Sequence, residues 1–337
     1  MDTFILALMA KNDKLKATSL YQVLLGKRTS STLCYAFFHD ILPYFGIFPK
    51  LTKKEWVHCL QMLKEQRAIQ EDTTGHLSLG QVDKLQYRQI IERYPHINYA
   101  RFGKWEEQGW ALVQYFIQIV SCPVTPSYLV AATPFYTETV RQVTQQFPKT
   151  VLAERLSSEL VEVFSTIEPA NATNLARTLS GGEHLGETFY QVFASIPSEI
   201  LRKLEQAECQ HQFYQFFLDK PETMLYQLLK KWYYAGLNQS LLATRQLFLT
   251  GKNSIQIAQL RQLKESTIRD HLIEWALFDA HFPFDRFDFT KIETAVAPLN
   301  LPVWELPFSE FNQLGAADFL MVRLYQIKRK RETDVSR

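Results

Sequence analysis

At 337 residues the chain is long enough for two or three domains, and 46% hydrophobic against 21% charged side chains excludes a disordered polyelectrolyte. Only 12 glycines, with abundant Leu, Gln, Glu and Lys, exclude a turn-rich β fold and set the fold class as mainly α. The net charge of +2 hides basic ends, +5 over residues 1–70 and +4 over 323–337, around a middle of −7, so polyanion contact is expected at the ends unless the excess is only a solvated surface.

Residues 1–80 read as an N-terminal winged-helix-like module. Leu15, Ser19, Leu20, Val23 and Leu24 make one helix face, with Gly26 as its stop. Ser30 is placed to cap a second helix carrying Leu33, Ala36, Phe37 and Ile41 up to Pro43. Thr52 opens a third, with Trp56, Leu60 and Leu63, and Ala68-Ile69 and Leu77-Ser78-Leu79 pair as a hairpin around Thr74-Gly75. This arrangement puts Lys27 and Arg28 at a helix start, a position that favours phosphate. A small helical domain with a surface loop fits the same pattern.

Residues 81–238 read as a central helical scaffold of amphipathic segments punctuated by Pro123, Pro126, Pro134, Pro148, Pro169, Pro197 and Pro221. Residues 239–285 contain a helix ending at Gly251 and then a helix-turn-helix over 253–278. Ser254 is the cap candidate for the first helix of the pair, with Ile255, Ile257 and Ala258. Leu263 sits in the turn, and Glu265 or Ser266 starts the second helix, with Ile268, Leu272, Trp275 and Ala276 at helical spacing. The small Ala258 suits a close crossing of two helices. An ordinary helical hairpin in an all-α core would show the same periodicity. Residues 286–337 form a C-terminal helical tail: an aromatic loop, AHFPFDRFDF, leads into it, and its last helix ends in Lys328-Arg329-Lys330-Arg331, a basic run for nucleic acid or a frayed terminus.

No apolar run reaches the roughly 20 residues that span a bilayer, so no membrane partner is expected. The opening MDTFILALMAKNDK has neither the basic leader nor the cleavage site of a signal peptide. Cys34, Cys59, Cys122 and Cys209 lack Cys-x-x-Cys pairing, which fits reduced, buried thiols in the cytoplasm and argues against zinc. There is no P-loop, no His-Glu-x-x-His and no Gly-x-Ser-x-Gly, and Ser180-Gly181-Gly182-Glu183 reads as a turn and helix start. The expectation is therefore a protein without catalytic residues, cofactor or metal.

The order Gly251, Ser254-Ile255, Ile257-Ala258, Leu263, Ser266-Thr267-Ile268 and His271-Leu272 is similar to the GerE/LuxR-type helix-turn-helix. It resembles more closely the helicase-associated helix-turn-helix at the end of some RecQ-type helicases. Gly26-Lys27-Arg28 with Tyr44-Phe45-Gly46, and Asp318 to Leu324, extend the resemblance to the YpbB-type proteins of Gram-positive bacteria. Many such motifs carry Gly in the turn, where this chain has Gln262. The resemblance implies a non-catalytic protein with DNA and a RecQ-type helicase as partners. A transcription regulator using the same module, and a protein-interaction scaffold without DNA contact, are the alternatives.

If the pair reads DNA, its second helix enters the major groove, with Leu263, Ile268 and Leu272 inward and Lys264, Glu265, Ser266, Arg269, Asp270 and Ile273 toward the bases. The DNA-binding candidates are then Lys252, Lys264, Ser266 and Arg269, with Lys27 and Arg28 from the N-terminal module. Residues 241–285 hold five Lys/Arg against five Asp/Glu, so this module by itself gains little from counterion release.

Overall fold

The structure is a computed structural model that describes residues 1–12, 14–121, 133–182, 184–235, 238–299, 301–315 and 318–335. Cys122, Pro123, Pro126 and Glu183 lie outside the described residues. The described residues are mainly helical, as the composition predicts. In chain order they run α1 (Asp2–Lys11), β1 (Leu15–Lys16), α2 (Ala17–Leu25), α3 (Ser30–Phe38), α4 (Lys53–Glu65), β2 (Ile69–Glu71), β3 (His76–Leu79), α5 (Lys84–Glu92), α6 (Tyr99–Phe102) and α7 (Glu106–Ser121). There follow α8 (Pro134–Thr144), α9 (Leu152–Thr166), α10 (Pro169–Arg177), α11 (Phe189–Val192), α12 (Glu199–Phe217), α13 (Met224–Ala235), α14 (Gln239–Leu249), α15 (Ser254–Arg261), α16 (Glu265–Phe278), α17 (Thr290–Val296), α18 (Phe308–Gln313) and α19 (Phe319–Val335).

The chain falls into two compact units, and residues 1–80 are divided between them. The first comprises Met1–Asp13, Val57–Gln70 and Leu79–Gly236; the second comprises Lys14–Trp56, Glu71–Ser78 and Leu237–Arg337. In the first unit α7, α9, α10, α12 and α13 pack around an aromatic core that includes Trp105, Trp110, Phe116, Phe213, Tyr214 and Phe217. One face of α12 is polar. His211 accepts from the Asn98 amide (2.9 Å) and bonds Glu106 through its other ring nitrogen (2.9 Å), while Glu208 accepts from the His96 amide (3.0 Å) and ring (2.6 Å). These bonds fix the segment before α6 onto α12, so buried polar groups are satisfied instead of orphaned. Burial raises the Glu208 carboxyl above its ordinary pKa.

The second unit joins two stretches distant in sequence. β1 pairs antiparallel with β3, Leu15 opposite Leu77 and Lys16 opposite His76. Gly26 ends α2 in the left-handed region (φ 79°), where the Lys27 amide reaches back to the Gln22 carbonyl. A Cβ on Gly26 would stand 3.0 Å from the Cα of Gly46, so the close loop crossing requires glycine. The cap of α3 is Thr29, whose hydroxyl accepts from the Thr32 amide, and Ser30 is the first helical residue instead of the cap. Both residues suit the role; the one whose backbone is still extended takes it.

α16 is the centre of this unit. It packs against α14 and α15 on one side and against α3 and α19 on the other. The aromatic loop after it folds back, with Phe282 edge-on to Trp275 and Phe287 stacked on Phe248. The basic run at the end of α19 is neither a frayed tail nor an open phosphate patch. Lys330 is 4% exposed and bonds Asp40 and Asp334, Arg331 donates to the Ala276 and Leu277 carbonyls, and Lys328 and Arg329 pair with Glu332. Sequence alone shows the charges; only the fold shows that acids and carbonyls already face them.

Candidate nucleic-acid interface

The three helices α14, α15 and α16 form a trihelical helix-turn-helix. α14 contributes Leu241 and Phe248, α15 Ile257 and Ala258, and α16 Ile268, Leu272 and Trp275 to the shared core. α15 begins with a capping box at Asn253: the Asn253 side chain accepts from the Gln256 amide (2.9 Å), and the Gln256 side chain accepts from the Asn253 amide (3.0 Å). The cap is thus one residue earlier than Ser254. α15 ends at Gln262, held at φ 54°, ψ 40°, with the Leu263 amide bonded to the Ala258 carbonyl (3.0 Å). Gln262 occupies the left-handed turn position that glycine would hold at lower cost, a strain of about 1 kcal/mol.

A polar lock ties the three helices together, and sequence reasoning missed it. Arg261 donates to the Ser240 carbonyl, the Ser240 hydroxyl and the Thr244 hydroxyl; Thr244 in turn bonds His271 Nδ1 (2.8 Å). The Thr244 hydroxyl thus sits between the Arg261 guanidinium and the His271 ring and holds both in place. Burial, and then the Arg261 charge, lower the His271 pKa, so the neutral ring is the folded form. The signal in the sequence was a histidine inside an apolar run, with an arginine at the turn.

The predicted DNA-binding residues separate into free and committed groups. Lys252, Lys264 and Ser266 are exposed at one edge, where Ser254 donates to Glu265 (3.5 Å) and brings the start of α15 beside the start of α16. Lys264 is the N-cap residue of α16 but makes no side-chain cap; the Thr267 amide donates to the Lys264 carbonyl (3.0 Å), which leaves the Glu265 and Ser266 amides open to an acceptor from outside. Lys27 is exposed after α2. Arg269 bonds Glu265 through Nε and Nη2 (3.1 and 2.9 Å) and Asp318 through Nη1 (3.2 Å), and these carboxylates raise its pKa. Arg28 is also spent inside the fold: Nε and Nη2 bond Glu274 (2.9 and 2.7 Å), and its guanidinium lies 5.2 Å from the Phe278 ring centre.

The outward side of α16 is covered beyond its first turns. Ile273, expected toward the groove, is 0% exposed, and Glu274, Ala276 and Leu277 are buried with it. α3 and α19 occupy that side, and Ser30 donates to Asp270 at its margin. The period of Ile273 fits a groove face and a second core face equally, which is why the spacing misassigned it.

A family model described as a helix-turn-helix domain matches residues 240–300. No curated protein and no solved structure matches the chain. The matched span covers α14, α15, α16 and α17, so the trihelical geometry and the family model identify the same helix-turn-helix domain.

Proposed function

We propose that the chain is a non-catalytic, cytoplasmic DNA-associated accessory protein that works with a RecQ-type DNA helicase and grips the phosphate backbone without reading base sequence. One observation carries the DNA half of this reading. α16 is exposed only in its first two turns, at Ser266 in the uncapped first turn and at Asp270, next to the exposed Lys264 and Lys252, while the part that would lie deep in a major groove is packed under α3 and α19. Helix-start amides and ammonium groups recognise phosphate; base discrimination needs side chains along the helix. This disfavours an operator-reading regulator. The helicase half rests on the resemblance of Gly251, Ser254-Ile255, Ile257-Ala258 and Ser266-Thr267-Ile268 to the helicase-associated module.

Within the second unit, β1, α2 and α3 with β3 paired to β1 support the winged-helix-like reading, with the turn at Gly75 as the wing and Lys27 as a secondary phosphate contact. The absence of catalysis is part of the proposal. Burial pushes the Cys34, Cys59 and Cys209 thiols up to about 12, which leaves no thiolate nucleophile at neutral pH among them. No helix of the described residues is long and apolar enough to cross a membrane.

The test is anisotropy of labelled duplexes over a salt series. Binding is expected in the range of about 10⁻⁴–10⁻⁶ M at physiological salt, similar for unrelated sequences. Lys252→Ala with Lys264→Ala should flatten the log–log salt slope by about 2, whereas Arg269→Ala should change it little, because its charge is already neutralised. A preference of more than about a thousandfold for one sequence would restore the regulator reading. A nuclease-treated pull-down with the host's RecQ-type helicases tests the partner; loss of the complex on nuclease treatment would reduce it to shared DNA.

A further inference from the structure

The stretch from Lys14 to Lys54 carries seven Lys/Arg against one acid, Asp40, and Asp40 is bonded by Lys330. Lys27, Lys50, Lys53 and Lys54 are exposed, and none of the four has an ion-pair partner among the described residues. The fold gathers them. The Gly46 amide donates to the Val23 carbonyl (2.8 Å), the Phe48 amide to the Leu24 carbonyl (2.9 Å) and the Tyr21 hydroxyl to the Leu51 carbonyl (3.2 Å). Residues 46–51 therefore run back along α2 from the Gly26 stop, beside Lys27. Lys50 stands on this run, and Lys53 and Lys54 open α4 directly after it. Cations at a helix start oppose its dipole. The acid of that turn, Glu55, does not answer them: the Thr52 amide and hydroxyl both donate to it as a helix cap (2.8 and 2.7 Å). On the other side of Lys27, Ser30 donates to Asp270, one turn beyond Ser266 on α16.

We propose that Lys27, Lys50, Lys53 and Lys54 form a phosphate clamp for the backbone of duplex DNA, beside the edge formed by Lys252, Lys264 and Ser266. The clamp rests on the DNA reading above and adds to it where the free charge lies. All of these residues belong to the second unit. The helix-turn-helix stretch, with five Lys/Arg against five Asp/Glu over residues 241–285, gains little from counterion release, so the unpaired lysines of the N-terminal stretch supply that gain. The surface around them also selects the partner. No Leu, Ile, Val, Met or aromatic side chain from Lys14 to Trp56 is exposed. A protein interface draws most of its energy from apolar and aromatic anchors at its centre, and this surface offers none. A phosphate backbone asks only for cations, which it does offer.

The experiment uses the full chain and a fluorescent duplex of arbitrary sequence over a salt series. Lys50→Ala with Lys53→Ala and Lys54→Ala should flatten the log–log salt slope by about 2 to 3, whereas Lys50→Arg with Lys53→Arg and Lys54→Arg should keep the wild-type slope. Should the alanine variant alter the far-ultraviolet dichroism, Lys53→Gln with Lys54→Gln replaces it, with an expected flattening of about 2. An unchanged slope in the alanine variant, while Lys252→Ala with Lys264→Ala does flatten it, overturns the clamp and leaves the α16 edge standing. The reverse result keeps the clamp and removes that edge. No duplex binding by the wild-type chain at about 50 mM salt, where phosphate contacts are strong, overturns both. Polyglutamate bound as tightly as the duplex also overturns the clamp and names an acidic protein surface as the occupant.

Discussion

The two halves of α16 obey different rules. Its first turn keeps the Glu265 and Ser266 amides open and Ser266 exposed, with Lys264 exposed just before them. From His271 to Leu277 every residue is buried, on both the α14/α15 side and the α3/α19 side. A helix apolar on one stripe presents its other side to a ligand; a helix apolar all round is core. The second half of α16 is core, so a helix that begins as a potential DNA contact ends as the central post of its unit. The difference shows that a helix-turn-helix geometry is no guarantee of a groove-reading helix.

The sharpest way to break this comparison is Ile273→Ala. As a core residue it should cost about 3 kcal/mol in urea unfolding of the chain; a groove-facing isoleucine would cost less than about 0.5 kcal/mol. Next is Arg28→Ala, which strands Glu274 under α3. A loss of about 2 kcal/mol is expected, less than for a wholly dry pair because the Arg28 side chain is 20% exposed. The double variant with Glu274→Gln should recover part of that loss, and full additivity would mean that the two do not interact.

Acidification should loosen the cover over α16 before it affects the edge. Burial pushes His39, at the end of α3, down to about 4, and burial also lowers His271. A histidine whose folded pKa lies below its unfolded value, near 6.5, leaves stability unaffected above that value. Below it the unfolded chain takes up the proton first, so stability falls by about 1.4 kcal/mol per pH unit for each such group until the folded pKa is reached. Thermal melts from pH 7 to pH 4 should show this fall, and His39→Gln should make it shallower. An unchanged slope in that variant would remove His39 from the account. The smallest expected effect is Gln262→Gly, which relieves the left-handed turn and should stabilise by about 0.5 kcal/mol after the entropic cost of glycine. A destabilisation would show that the Gln262 side chain makes a compensating contact.

Much of this was legible in the sequence. The helix stop at Gly26, the hairpin around Gly75, the helix before Gly251 and the burial of the small Ala258 all follow from local backbone and size requirements. The aromatic loop after α16 reads as packed because its phenylalanines demand burial, and Phe282 and Phe289 are buried. What did not read was pairing across long separations. Nothing local to Arg28 announces Glu274, 246 positions away, and nothing local to Lys330 announces Asp40. Charge counting located the basic ends but could not show that Arg28, Lys330 and Arg331 were already answered, while Lys27 stays exposed. Likewise Asn253 and Ser254 are both good caps, and the choice between them lies in backbone angles that composition does not set.

Hydrogen exchange of the full chain, with and without a duplex of arbitrary sequence, tests the central claim most directly. The account predicts that DNA slows exchange at residues 252–256 and 264–267, and that amides 271–277 are strongly protected in both states and unchanged by DNA. Fast exchange at 271–277 in the free protein, with new protection there on the duplex, would contradict it and return α16 to the major groove.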